Sequence, residues 1–295
     1  MAGFLVEPFF NKICYTLFSY TKEVSTVKVA FSSDNHFDLN KIDVKRAMHV
    51  QALYLLNQSV DVYVIAGDLF NDFQRTLSFA RDMQDALGDK ILIRFIAGNH
   101  DMGNGVTYDE LESDIDPLYF HNKFIDLTPT VRLIGNNGWY NYDFVGNDYT
   151  EKQIQQFKNS FWYDRRIKRP ISDKERFNRN MSQLQHQLDV ADHKQTVVVS
   201  HFVPRNDYIK RFPNGASRLD MANALLGSNK VGEILDDSYT IATITGHLHL
   251  HPAPLKVGNN IYYNAAVGYN TARVYEWRSD DFITEWQNHL ILLDF

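Results

Sequence analysis

The chain has 295 residues, 44% apolar and 22% charged, which is the make-up of an ordinary globular protein with length enough for a sizeable core. Its net charge of -6 argues against a general nucleic-acid binder. Its one cysteine, Cys14, excludes an internal disulfide framework and suits a reducing compartment. No apolar run reaches about 18 residues, so no membrane-spanning helix is predicted and a cytoplasmic location is expected.

Residues 1–26 read as an N-terminal extension. Met1–Tyr20 is apolar and aromatic, but Glu7, Pro8, Asn11 and Lys12 interrupt it and it lacks a basic start and a small-residue cleavage site, so it is a poor signal peptide. Packing on the domain is the expected role; a peripheral membrane contact through Phe9, Phe10, Leu17 and Phe18 is the alternative. Val27–Ser32 (VKVAFS) is the first predicted core strand. Val44–Gln58 has helical periodicity, Val62–Ala66 is a second buried strand, and Gln74–Leu87 is a second helix with Gly88 as its stop. Ile91–Ala97 is a third strand. Strand and helix alternating at ~30-residue spacing predicts βαβ units and a partly parallel sheet.

Beyond Asp101 the pattern loosens. Asp109–Phe120 reads as partly helical, and Val131–Ile134 and Trp139–Phe144 read as short strands joined by the turn Gly135-Asn136-Asn137-Gly138. Glu151–Asn159 and Asp173–Ala191 read as helices, which makes residues 151–191 a helical insert between core strands. Positive charge gathers there: from Glu151 to Arg211 about thirteen Lys and Arg face about seven acids. The ordinary reading is a solvated face; the alternative is a surface that receives an anionic substrate. Thr196–Ser200 and Thr240–Thr245 are further buried strands. Ile261–Asn264, Arg273–Trp277, Phe282–Trp286 and Leu290–Phe295 read as strands of a mainly antiparallel second sheet. No repeat or linker is visible, so residues 27–295 are expected to form one domain carrying the insert.

Five apolar strands each end in a side chain able to bind metal: Asp34 and His36, Asp68, Asn99 with His100, His201, then His247 and His249. One histidine or one Gly-Asp pair has an ordinary explanation in a core or a turn. Five in one chain, all at strand ends, point to a metal centre at the carboxyl edge of a sheet. Carboxylate, imidazole and amide oxygen without thiolate suit Mn, Fe, Zn or Co rather than a structural zinc site. The ligands are too many for one ion and enough for two, and an aspartate between two ions can bridge them.

Asp34-x-His36, Gly67-Asp68, Gly98-Asn99-His100-Asp101, Ser200-His201 and Gly246-His247-x-His249, in that order, resemble the calcineurin-like metallophosphoesterase superfamily from about Val27 to the end of the chain. Phe161–Phe177 with Gly138-Trp139-Tyr140 is similar to a bacterial subgroup of uncharacterised phosphoesterases. The resemblance implies an α/β fold, a four-layer αββα sandwich of two mixed sheets flanked by helices. It implies two divalent metal ions, Mn²⁺ first, with Asp34, His36 and His249 on one, Asn99, His201 and His247 on the other, and Asp68 between them. His100 is implied to face substrate. In the phosphoprotein phosphatases of this superfamily an aspartate three residues after the bridging one orients that histidine; here the position is Asn71, which leaves Asp72 and Asp101 as candidates for that role. The arginine that follows it there is also missing, since Phe73 and Gln74 come next, which counts against a protein phosphatase. The expected activity is hydrolysis of a small anionic phosphate ester by metal-activated water, with His100 assisting. The alternative is a phosphodiesterase or nuclease on the same centre, with aromatics such as Trp139, Tyr140, Phe161, Trp162 and Tyr163 stacking on bases. A non-catalytic binding protein on the same fold ranks third, because every expected ligand position is filled. No stable nucleic-acid partner is expected.

Overall fold

A computed structural model describes residues 26–209 and 218–295. The N-terminal extension, with its proposed membrane contact, lies outside the described residues.

Continuous apolar runs form the central strands. β1 (Lys28–Ser32), β2 (Val62–Ile65) and β3 (Leu92–Phe95) pair in parallel, with α1 (Val44–Asn57) and α2 (Phe73–Leu87) as the intervening crossovers. Each helix opens on an aspartate: Asp43 accepts from the Arg46 amide and Asp72 from the Arg75 amide. After a short helix, α3 (Tyr108–Leu111), comes β4 (Lys123–Asp126), which pairs antiparallel with β5 (Val131–Asn136). The predicted hairpin about Gly135–Gly138 does not form. β5 continues through Gly135 to Asn136, and its antiparallel partner is the preceding edge strand β4, whose half-exposed alternation with Lys123 and Asp126 gives little strand signal. The stretch after Gly138 is irregular. Tyr142 sits at φ 73°, and Trp139 and Tyr140 stack with ring centroids 4.5 Å apart instead of alternating across a sheet.

Two helices follow, α4 (Glu151–Phe161) and α5 (Asp173–Asp189), each closed at its start by a reciprocal capping box, Thr150 with Gln153 and Ser172 with Glu175. Then β6 (Gln195–Ser200), α6 (Arg218–Asn223), α7 (Asn229–Asp236), β7 (Thr240–Thr245), β8 (Leu255–Val257) and β9 (Asn260–Asn264) complete a sheet of order β4-β5-β6-β7-β9-β8. In it β5, β6, β7 and β9 are parallel, and β8 is antiparallel to β9.

The tail departs from its reading. Phe282–His289 is a helix, α8, because Asp281 caps it through the Thr284 amide and its buried residues Phe282, Glu285 and Trp286 recur at helical spacing. Arg273–Trp277 forms no strand; a single bridge joins Asn270 and Tyr275. β10 (Ile291–Asp294) returns to the first sheet, antiparallel to β1, giving the order β10-β1-β2-β3.

Period-two alternation decides the layering. Val29, Phe31, Val62 and Val64 point inward and meet Leu133, Val197, Val199 and Ile244 of the other sheet. Ala30, Tyr63 and Ile65 point outward beneath α1 and α2, and Ile134 and Val198 join the same outer core with Leu184 and Leu188 of α5. The result is two mixed sheets face to face with helices on both outer faces. The parallel strands all end on one side, where the chain after β1 also crosses between the sheets: the Ser33 amide donates to the Ala265 carbonyl at 2.9 Å and the Val267 amide to the Ser33 carbonyl at 2.9 Å.

Candidate metal centre

Strand ends place every proposed ligand in one cluster. Asp34 and His36 follow β1, Asp68 follows β2, Asn99 and His100 follow β3, His201 follows β6, and His247 and His249 follow β7. The chain turns sharply to deliver them. Asp34, His36, Asp68 and His247 all have positive φ, at 55°, 43°, 58° and 63°, a conformation uncommon for non-glycine residues and concentrated at functional sites. Glycines make room beside them. A Cβ on Gly98 would lie 2.0 Å from Asp68 Oδ1, and one on Gly246 would lie 2.3 Å from Asp34 Oδ2.

One donor atom each from Asp34, His36 and His249 lies within 4.8 Å of the others, and the same holds for Asp68, His201 and His247. Asp34 Oδ1 is 2.9 Å from His249 Nε2 and 3.7 Å from His36 Nε2. Asp68 Oδ2 stands between the two groups, 3.9 Å from His36 Nε2 and 3.4 Å from His201 Nε2. Asn99 Oδ1 lies 3.1 Å from His201 Nε2.

The surrounding contacts select the atoms that face inward. His201 Nδ1–H donates to the Ala66 carbonyl at 2.8 Å, and His249 Nδ1–H to Glu276 Oε2 at 2.7 Å, which leaves both Nε2 atoms toward the cluster. His247 reverses this: Nε2–H donates to the Leu225 carbonyl at 3.2 Å, leaving Nδ1. Asn99 Nδ2–H donates to Asp164 Oδ1 at 2.7 Å, which aims the amide oxygen inward. Asp34 Oδ2 takes the Ser33 hydroxyl at 2.6 Å and the His247 amide at 2.9 Å, so Oδ1 remains for the cluster.

The donor set fits divalent cations. Both nitrogens of the fully buried His36 ring lack a hydrogen-bond partner among the described residues, a costly arrangement unless something else binds there. Burial alone would raise the Asp34 and Asp68 carboxyls, yet both are held below the ordinary carboxylate range by His201, with His249 also acting on Asp34 and His100 on Asp68. Two buried negative charges need positive charge beside them. Protonated imidazoles supply it when no cation is bound: burial would lower His201, but Asp68 and Asp34 bring it up to about 9.

His100 is mounted differently. Its Nδ1 lies 2.6 Å from Asn71 Oδ1, so Nδ1–H donates to the amide, and Nε2 is 3.1 Å from the Tyr269 hydroxyl. Tyr163 stacks on its face at 3.8 Å and 16°. The two acidic candidates for orienting His100 are engaged elsewhere. Asp72 caps α2 and accepts from Asn104 Nδ2 at 2.6 Å. Asp101 is buried beneath the loops and accepts from the Asp68 amide at 2.6 Å, the Gly98 amide at 2.9 Å and the Thr76 hydroxyl at 2.5 Å. The contact falls to Asn71 itself, in the position where the resemblance places an aspartate.

Sequence reasoning missed Asp164, Tyr269 and Glu276, and it gives Tyr163 only as an aromatic able to stack on bases, not as the ring against His100. Tyr163 and Asp164 come from the turn between α4 and α5, so the insert reaches the centre directly. A cavity of about 580 Å³ opens over the cluster, walled by Trp162, Tyr163, Leu226, Leu248, Leu250 and Tyr269. The basic residues of the insert are in part spent internally: Lys158 and Arg169 pair with Asp173, and Arg176 is buried over the Trp139 ring at 3.9 Å.

A family model described as calcineurin-like phosphoesterase matches residues 27–251. The chain belongs to the calcineurin-like phosphoesterase family. This phosphoesterase is similar in structure to the phosphopantetheinyl hydrolase of Mycobacterium tuberculosis, with a TM-score of 0.64 and 16% identity over 92% of this chain and 96% of that one. A dimetal phosphatase from Danio rerio matches with a TM-score of 0.47 and 13% identity over 81% and 86%. No curated protein matches it in sequence. As a member of the family it is a metal-dependent phosphoesterase, and its His/Asp clusters are placed to bind divalent cations. Among the described residues no helix is long and apolar enough to cross a membrane.

Proposed function

We propose that this phosphoesterase works with two divalent cations, Mn²⁺ first among them, and hydrolyses a small phosphate ester with an elongated, weakly charged leaving group. The observation that carries the two-ion reading is the place of Asp68 Oδ2, between the His36 and His201 nitrogens. Asp34, His36 and His249 would hold one cation, Asn99, His201 and His247 the other, and Asp68 both. When bound, the cations supply the charge that lowers the pKa of an attacking water and draws in the phosphoryl oxygens.

The protein's own groups do the rest. Asn71 Oδ1 accepts the His100 Nδ1–H whether or not Nε2 is protonated, so it holds the ring in one orientation through a proton transfer. As an amide it does not raise the basicity of the ring as a carboxylate would. Burial pushes His100 down to about 3, so the ring is neutral before an anionic phosphoryl group arrives beside Nε2. With Nδ1–H committed to Asn71, Nε2 takes up a proton from solvent as the anionic phosphoryl group binds and gives it to the leaving oxygen as the P–O bond breaks, assistance worth ~10²–10⁴-fold. Trp162, Leu226, Leu248 and Leu250 line the space beside the cluster and suit an apolar or neutral arm better than a second phosphate. The pantetheine part of the phosphopantetheinyl group named for the structural neighbour is a neutral arm of this kind, and such an ester belongs in the substrate panel on that ground.

The test pairs metal analysis with turnover on p-nitrophenyl phosphate, bis-p-nitrophenyl phosphate, a phosphopantetheinyl ester and single-stranded DNA. Asp68→Asn is expected to lose nearly all turnover together with bound metal. His100→Ala is expected to keep its metals and lose ~10²–10⁴-fold in kcat. Loss of metal in His100→Ala would make that residue a ligand, and turnover of DNA above the small esters would favour a nuclease.

A further inference from the structure

We infer that His251, Glu285 and His289 form a separate metal site, suited to Zn²⁺, joining the loop that carries His247 and His249 to α8. One donor atom from each of the three lies within 4.8 Å of the other two. Glu285 and His289 are four residues apart on α8, so their side chains leave the same face of the helix. His289 Nε2 and Glu285 Oε1 are 2.9 Å apart.

The carboxylate is prepared for a ligand. Glu285 is fully buried, and Oε2 is occupied by the Arg278 amide at 3.1 Å, the Ser279 amide at 2.9 Å and the Ser279 hydroxyl at 2.5 Å. Three donors on one oxygen fix the plane of the carboxylate and turn Oε1 toward the histidines. His251 comes from the loop after β7 and stacks on His289 with ring centroids 3.8 Å apart and 27° between planes. Its Nε2 is buried and has no hydrogen-bond partner among the described residues. A buried imidazole nitrogen without a partner costs free energy, and a cation beside Glu285 Oε1 would satisfy it.

Two imidazoles and one carboxylate form a donor set that Zn²⁺ takes in tetrahedral geometry, with water as the fourth ligand. The site lies where it can stiffen the main centre. His251 follows His249 by two residues, and α8 is anchored on the first sheet by Trp286, whose Nε1–H donates to the Tyr63 hydroxyl at 3.4 Å. A cation held by His251, Glu285 and His289 ties the loop bearing His247 and His249 to the helical layer of that sheet. The site shares no side chain with the strand-end centre, whatever number of ions that centre holds.

The experiment uses the full chain, stripped with a chelator, reloaded with ZnCl₂ and desalted, with zinc counted per chain by mass spectrometry. His251→Gln and His289→Gln are each expected to retain about one zinc fewer than the unaltered chain. Because the comparison is by difference, it reads the same whether the strand-end centre takes one ion or two. A second measurement needs no variant: diethyl pyrocarbonate labelling of the unaltered chain, with and without ZnCl₂, is expected to show zinc protecting His251 and His289. Equal zinc counts in all three proteins, or labelling of those two histidines that zinc leaves unchanged, would overturn the site.

Discussion

Asn71 shows how much one side chain can shift a mechanism. It stands where an aspartate is expected, and the neighbouring carboxylates, Asp72 and Asp101, are the obvious substitutes in sequence. In the folded chain Asp72 is committed to the α2 start and Asp101 to the loop amides, while the Asn71 amide oxygen meets His100 at 2.6 Å. Asn71→Ala removes that acceptor without touching a proposed ligand. The expected result is a kcat lower by about 10–10²-fold with metal content unchanged, read by paired kinetics and metal analysis. Asp164 acts on a proposed ligand in the same indirect way, by fixing the Asn99 amide. Asp164→Ala is expected to weaken cation binding about 10–100-fold, measured by competition with a chromophoric chelator, while His100 keeps its bond to Asn71. Both residues lie outside the short ligand motifs, and their roles follow from distances that no spacing rule encodes.

Among the elements, the α4–α5 pair changed meaning most. Its charge reads as a solvated face or an anion-receiving surface; the structure gives part of that charge an internal partner. Asp173, 4% exposed at the side chain, receives Lys158, Arg169, the Trp139 indole N–H and the Tyr142 hydroxyl. That knot holds the turn bearing Tyr163 and Asp164 against the centre. Asp173→Ala leaves Lys158 buried without its counter-charge, a change that costs about 3–5 kcal/mol. The expected outcome is a lower thermal midpoint together with reduced turnover, since Tyr163 and Asp164 lose their support; unchanged turnover at full stability would show the two helices to be independent of the site. Elsewhere the sequence misled. α8 reads as a strand in the sequence because Phe282, Ile283 and Trp286 give it apolar and aromatic content, but the Asp281 cap and the burial of Phe282, Glu285 and Trp286 make it a helix. β4 was invisible because an edge strand of four residues, alternately half-buried and exposed, carries almost no hydrophobic run.

At the scale of the molecule, the centre lies where the two sheets meet, at the carboxyl ends of strands from both. Two buried carboxylates there are balanced by the protons of His201 and His249 when cations are absent. Cations bind this arrangement only when it is folded, so removing them lowers stability by mass action, about 4 kcal/mol for a cation present at 1,000 times its Kd. Chelation is therefore expected to lower the thermal midpoint, with recovery on adding Mn²⁺, and Asp68→Asn is expected to shrink that difference. By itself the sequence determined the strand ends that carry the proposed ligands, the parallel core and the family. Each depends on local information: a largely apolar run, a glycine or serine, and a polar side chain directly after it. The tertiary structure alone decided which residue orients His100, how the insert reaches the site, and that the tail returns as a helix and an edge strand of the first sheet. Those outcomes depend on contacts between segments far apart in the chain, such as Asn99 with Asp164 and Asp34 with His249, whose geometry is set by packing and not by neighbours in sequence.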